Sequence, residues 1–152
     1  MNEIVSKPLI MITGIECRTS NHIDAGPVDI PELWARFYSE DIFNKITNKA
    51  SEEIIALYCD YEGDYMQPYS LIIGCHVNSL ENIPAGLVGK TIPAASYAFF
   101  RAIGEHPRAL VETWGEIWQT DLKRTYTGDY EVYGEKFLTR EPKEVEIFIA
   151  IE

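Results

Sequence analysis

Apolar residues recur along the chain in two periods, and the order in which those periods alternate predicts the architecture. Pro8 to Cys17 alternates loosely around Leu9, Met11, Thr13 and Ile15 and carries apolar residues on its other face as well, as a largely buried strand does. Asp29-Ile30-Pro31-Glu32 then reads as a helix start, with Asp29 capping, Glu32 reaching back three residues later and Pro31 tolerated in the first turn. Ile30, Leu33, Trp34 and Phe37 follow at helical spacing, and the helix is expected to reach about Ile46 with a break near Ser39. Ile54 to Tyr61 and Tyr69 to Val77 are two β-type segments around Glu62-Gly63-Asp64, the composition of a turn, and predict a hairpin.

The second half repeats this order. A short extended segment, Leu87 to Ile92, leads to a strand over Ser96 to Ile103 that Gly104 ends. Pro107 fits the first turn of a second helix, whose stripe is Leu110, Val111, Trp114, Ile117, Trp118 and Leu122. Tyr130 to Phe137 and Val145 to Ile151 close the chain as extended segments. Strand, helix, strand, strand therefore occurs twice, over about residues 5–79 and 87–151, within one domain covering 1–152. The expected fold class is α+β: duplicated strand-helix-strand-strand modules of the SHS2 type sharing one mostly antiparallel sheet, with two helices on one face.

Charge narrows the partners. The 152 residues hold 13 Lys plus Arg against 24 Asp plus Glu, a formal net charge of -11. Affinity for DNA comes mostly from neutralising phosphates, so direct nucleic-acid binding is not expected. The longest apolar run is far short of the roughly 20 residues that span a bilayer, and the N-terminus lacks the pattern of a signal peptide. The expectation is a cytoplasmic chain, complete in itself and without membrane contact. Cys17, Cys59 and Cys75 are an odd number in no ligand spacing, and read as buried thiols rather than a disulfide framework.

Candidate chemistry is sparse. There is no glycine-rich phosphate loop and no nucleophile-elbow motif. His22, His76 and His106 lack the spacing of a zinc helix, so neither metal, cofactor nor catalytic residue is assigned. Two strand carboxylates remain. Glu131 shares a face with Tyr133, and Glu146 shares one with Phe148 and Ala150. Each is either an outward residue of a half-exposed strand or an acid in an aromatic cavity, where few waters would screen it from a cation. Aromatic residues make up 12% of the chain, a surplus such a cavity would absorb.

Six segments stand out in order: Ile30-Pro31-Glu32-Leu33-Trp34-Ala35-Arg36-Phe37, Tyr69 to Cys75, Ile92-Pro93-Ala94-Ala95-Ser96-Tyr97-Ala98-Phe99-Phe100, Trp114-x-x-x-Trp118, Asp129-Tyr130-Glu131-Val132-Tyr133 and Val145 to Ile151. Together they resemble the GyrI-like family, the effector-binding domain of many AraC-type and multidrug-sensing bacterial transcription regulators, and most of all its free-standing branch. The resemblance implies a ligand cavity between the two helices, with Glu131 at its floor attracting lipophilic cations and a ring of Trp34, Trp114, Trp118, Tyr97 and Tyr133; Glu146 is the second choice of acid. It further implies a small-molecule-binding protein for hydrophobic cationic drugs or effectors. The alternatives are a hydrolase of strained electrophilic genotoxins and a protein inhibitor of DNA gyrase. Family regulators carry a helix-turn-helix domain for which this chain has no room, so any DNA contact is expected to run through a separate protein partner.

Overall fold

The computed structural model of the chain describes residues 3–21, 26–64 and 66–152; His22 lies outside them. The strands are β1 (Glu3–Lys7), β2 (Ile10–Thr19), β3 (Ile54–Cys59), β4 (Tyr69–Val77), β5 (Val88–Ile92), β6 (Ala95–Ile103), β7 (Asp129–Tyr133) and β8 (Glu144–Ile151). The helices are α1 (Gly26–Ser39), α2 (Ile42–Lys45), α3 (Arg108–Gln119) and α4 (Glu135–Leu138). All eight strands form one antiparallel sheet in the order β1-β6-β8-β7-β3-β4-β2-β5, which gives the expected α+β class. Among the described residues no helix is long and apolar enough to cross a membrane.

The sheet order places β3 and β7 side by side at the centre, flanked by β4 and β8, then β2 and β6. The edge strands are exchanged: β1 precedes β2 in the chain but pairs with β6, and β5 precedes β6 but pairs with β2. Only Pro8 and Leu9 separate β1 from β2, and only Pro93 and Ala94 separate β5 from β6. Three residue steps reach about 11 Å at most, whereas six strand spacings in a flat sheet are about 29 Å. The sheet must therefore roll until its two edges approach. Gly14 and Gly74, paired across β2 and β4, serve this curvature: a Cβ on Gly74 would lie 1.9 Å from the Thr13 carbonyl oxygen, and one on Gly14 would lie 2.2 Å from that of Ile73.

Strand alternation divides the sheet into two apolar faces. One faces the inside of the roll and gathers Ile12, Leu57, Ile72, Ile92, Tyr97, Tyr130, Phe148 and Ala150. The other is covered by α1 through Leu33 and Phe37 and by α3 through Ala109 and Ile117, over Ile15, Ile54, Ala56, Ile73, Ile147 and Ile149.

Three local expectations are corrected. Helix α1 begins at Gly26 rather than at Asp29, so Asp29 lies in its first turn and Pro31 within it. The extended segment expected over Tyr130 to Phe137 stops at Tyr133, because Gly134 interrupts it and 135–138 turn into α4. Strand β1 has no counterpart among the predicted elements: it is five residues long, and its Ile4 is 65% exposed at the sheet edge.

Candidate functional site

Alternation on β7 turns Asp129, Glu131 and Tyr133 toward the helices and Tyr130 and Val132 into the roll. Across the β3–β7 pairing Glu131 stands opposite Ala56, and two residues along β3 Tyr58 shares that face. Above this centre, between α1 and α3, lies a cavity of about 770 Å³. Its floor holds Tyr58, Glu131 and Tyr133. The helix walls match one another in sequence spacing: Ile30, Trp34 and Tyr38 from α1 face Leu110, Trp114 and Trp118 from α3. Tyr38 and Trp118, 61% and 39% exposed, stand at the mouth.

Glu131 is 1% exposed. Its Oε2 accepts hydrogen bonds from the Trp114 indole Nε1 at 2.6 Å and the Tyr58 hydroxyl at 2.9 Å, and its Oε1 accepts one from the Tyr133 hydroxyl at 2.7 Å. No cationic side chain pairs with it among the described residues. Burial raises its pKa above the usual 4.5, against the pull of the three donors, which favour the anion. Burial, with the adjacent Glu131 charge second, also holds Tyr58 and Tyr133 well above the normal phenol range, so both stay protonated donors.

Asp129, two residues earlier on the same face, is fully buried yet differently placed. Its Oδ2 accepts from Arg124 Nη2 and from the Tyr61 hydroxyl, both at 2.7 Å, and its Oδ1 accepts from the Ala150 amide at 2.8 Å. Burial opposes the Arg124 charge, but the Asp129 carboxylate outweighs it and raises the guanidinium pKa. Asp129 is thus neutralised in place, and Glu131 is left as the cavity's uncompensated acid. The aromatic shell continues through Trp34, edge-on to Tyr133 at 4.9 Å, and Phe137, edge-on to Tyr133 at 5.1 Å. The three free cysteines are held in the thiol form at neutral pH: burial pushes Cys59 up to about 12, and Cys17 and Cys75 up to about 11.

Of the seven residues expected at the site, Glu131, Trp34, Trp114, Trp118 and Tyr133 line the cavity. Two do not. Tyr97 is 1% exposed inside the roll, packed edge-on to Tyr130 at 5.5 Å. Glu146 lies on that same face of the sheet and is held by Lys136 at 3.3 Å. Sequence reasoning missed Tyr58, Tyr61, Tyr69 and Arg124, which complete one end of the cavity. The three tyrosines share one signal, an aromatic residue in or at the end of a predicted strand, which does not by itself choose a face; Arg124, outside every predicted element, carried none.

Comparison with known proteins places the whole chain. The family model described as Cass2, integron-associated effector binding protein, matches residues 3–151. "Putative transcriptional regulator protein YobU" of Bacillus subtilis (strain 168) is 30% identical over 156 residues, covering 99% of this chain and 98% of that protein. The integron cassette protein VCH_CASS2 from the mobile metagenome of Vibrio cholerae is 28% identical, with a TM-score of 0.78 over 99% of this chain and 95% of that one. The structure of SAV2435 bound to tetraphenylphosphonium superposes with a TM-score of 0.81 at 19% identity, over 100% of this chain and 94% of that one.

Proposed function

The chain belongs to the Cass2 family of integron-associated effector binding proteins, and on that premise we propose that its cavity captures lipophilic organic cations, Glu131 supplying the charge and the aromatic walls the contact. The observation that carries the reading is the set of partners around Glu131. It is a buried carboxylate bonded by three neutral donors, so its charge is oriented and stabilised but not cancelled. A cation at about 5 Å in an effective dielectric of about 20 gains roughly 3 kcal/mol from such a charge. Ring faces and edges of Trp34, Trp114, Tyr58 and Tyr133 add cation–π attraction and apolar contact without fixing one shape.

The delocalised, four-ringed cation named with SAV2435 is of the class this chemistry selects, and supports the reading. Hydrolysis of an electrophile would require Glu131 to hold and deprotonate a water. Three of its roughly four acceptor positions are already filled, which favours capture over catalysis.

The test is a titration of the native protein with tetraphenylphosphonium, followed by tryptophan emission, since Trp34, Trp114 and Trp118 all line the cavity. Saturable quenching is expected from the cation and a far weaker response from an anionic aromatic of similar size. Equal affinity for both would overturn the role of charge.

A further inference from the structure

Four buried side-chain atoms among the described residues have no hydrogen-bond partner: Thr19 Oγ1, His106 Nε2, and Arg124 Nε and Nη1. Three of the four belong to residues that line the cavity. Buried polar groups are ordinarily satisfied, so orphans gathered at one cavity point to a partner that arrives from outside the chain. Arg124 is the stronger of the two cases. Its side chain is only 6% exposed, and Asp129 uses Nη2 alone. The guanidinium carbon lies 4.4 Å from the Tyr126 ring, which fixes one of its faces and leaves the in-plane donors unspent.

The position of Arg124 gives the ligand a direction. Asp129 and Glu131 are two residues apart on one face of β7, about 7 Å along the strand, and Arg124 is tied to the first of them. The cavity therefore has an uncompensated acid near its centre and, near one end beside Tyr61, Tyr69 and Asn21, a wall residue, Arg124, whose unspent donors lie just beneath the surface.

We propose that Arg124 is a second ligand anchor, donating from its unpartnered N–H groups to an acceptor oxygen, carboxylate or carbonyl, of a ligand whose cationic centre sits at Glu131. The preferred ligand is then a dipolar aromatic cation rather than a purely hydrocarbon one. This deepens the cation-capture reading and rests on it.

The test uses two triphenylphosphonium cations that differ only at the end of a short alkyl arm, methyl in one and carboxylate in the other, titrated into the full chain near neutral pH. The native protein is expected to favour the carboxylate probe roughly ten- to a hundredfold, the yield of one hydrogen bond to a charged group. The net charge of -11 and Glu131 itself pull the opposite way, so equal or weaker binding of the carboxylate probe overturns the inference. Arg124→Lys keeps a cation beside Asp129 but removes the guanidinium donors, and should abolish or reverse the ratio of the two affinities. A preference that survives in Arg124→Lys also overturns it. Should that variant fail to fold, the Arg124→Gln, Asp129→Asn pair removes both charges together and is held to the same ratio. Failure of the methyl-ended probe to bind the native protein would instead defeat the cation-capture reading itself.

Discussion

Glu131 faces Ala56 across the β7–β3 pairing, so the residue directly opposite the acid on the adjoining central strand presents only a methyl group. Tyr58 and Tyr133, each two residues further along its own strand, both donate to the acid. The walls are matched from both sides while the charge is not. A second carboxylate at position 56 would sit about 5 Å away, and two acids that close share a proton instead of both ionising. One acid opposite one methyl has no second carboxylate to share its proton with at the centre of the floor.

The buried charge has a sign in stability. Burial raises the folded pKa of Glu131 above 4.5, so the folded chain holds this proton more tightly than the unfolded chain does. The stability this contributes is present below 4.5 and is lost as pH rises through the folded value. Glu131→Gln is therefore expected to raise Tm at neutral pH, by roughly 2–4 °C for each kcal/mol relieved, with the gain vanishing toward pH 4.5. Thermal denaturation across this range checks it; a lower Tm at neutral pH would mean that the three donors outweigh burial.

Cation affinity follows the same ionisation in the other direction. Only the carboxylate attracts the ligand, so affinity for tetraphenylphosphonium should climb as pH rises through the raised Glu131 pKa and level off above it, with one proton released per ligand bound in the rising window. Calorimetry in buffers of different ionisation enthalpy counts that proton. A flat profile from acid to neutral pH would separate binding from Glu131.

Trp114 contributes both a ring and an indole donor, and Trp114→Phe keeps an aromatic ring, though a smaller one, while removing the donor. With one of three bonds to the anion gone, the midpoint of the pH profile should move upward and stability at neutral pH should fall by about 1–3 kcal/mol. An unmoved midpoint with weakened binding would assign Trp114 to the wall alone.

The roll of the sheet depends on bare backbone at Gly74. Gly74→Ala would place its Cβ against the Thr13 carbonyl and the Gly14 Cα, both backbone atoms that no rotamer change can clear. A loss of about 3 kcal/mol or more is expected in urea unfolding. A near-neutral result would show that the strands can separate at this crossing without cost.

How far the site could be read from the sequence follows from which residues are neighbours in the chain. Glu131 and Tyr133 share a face by alternation, and Trp34, Trp114 and Trp118 fall on helical stripes, but these periods fit core and cavity alike, and only the family resemblance put the five at a site. Tyr58 reaches Glu131 only because β3 pairs with β7 from 73 residues away, and no local period specifies that register. Tyr97 and Glu146 show the converse. Each occupies a plausible place in its strand, but pairing of β6 and β7 with β8 puts both on the face carrying Phe148 and Tyr130 rather than beneath the helices, Tyr97 inside the roll and Glu146 partly exposed against Lys136. The exchanged edge strands are equally non-local: β1 is too short and too exposed to declare itself, and its partner β6 lies nearly a hundred residues on.

The most direct test of the central claim compares the native protein and Glu131→Gln with one dye in two charge states, the malachite green cation and its uncharged leuco form. The variant keeps the volume and most of the hydrogen-bonding capacity of the acid and deletes only its charge. The cation should lose about tenfold or more in affinity, the equivalent of about 1.4 kcal/mol, while the leuco form changes by less than about twofold. Equal losses for both forms, or none for either, would contradict a cavity that selects its ligands through the charge of Glu131.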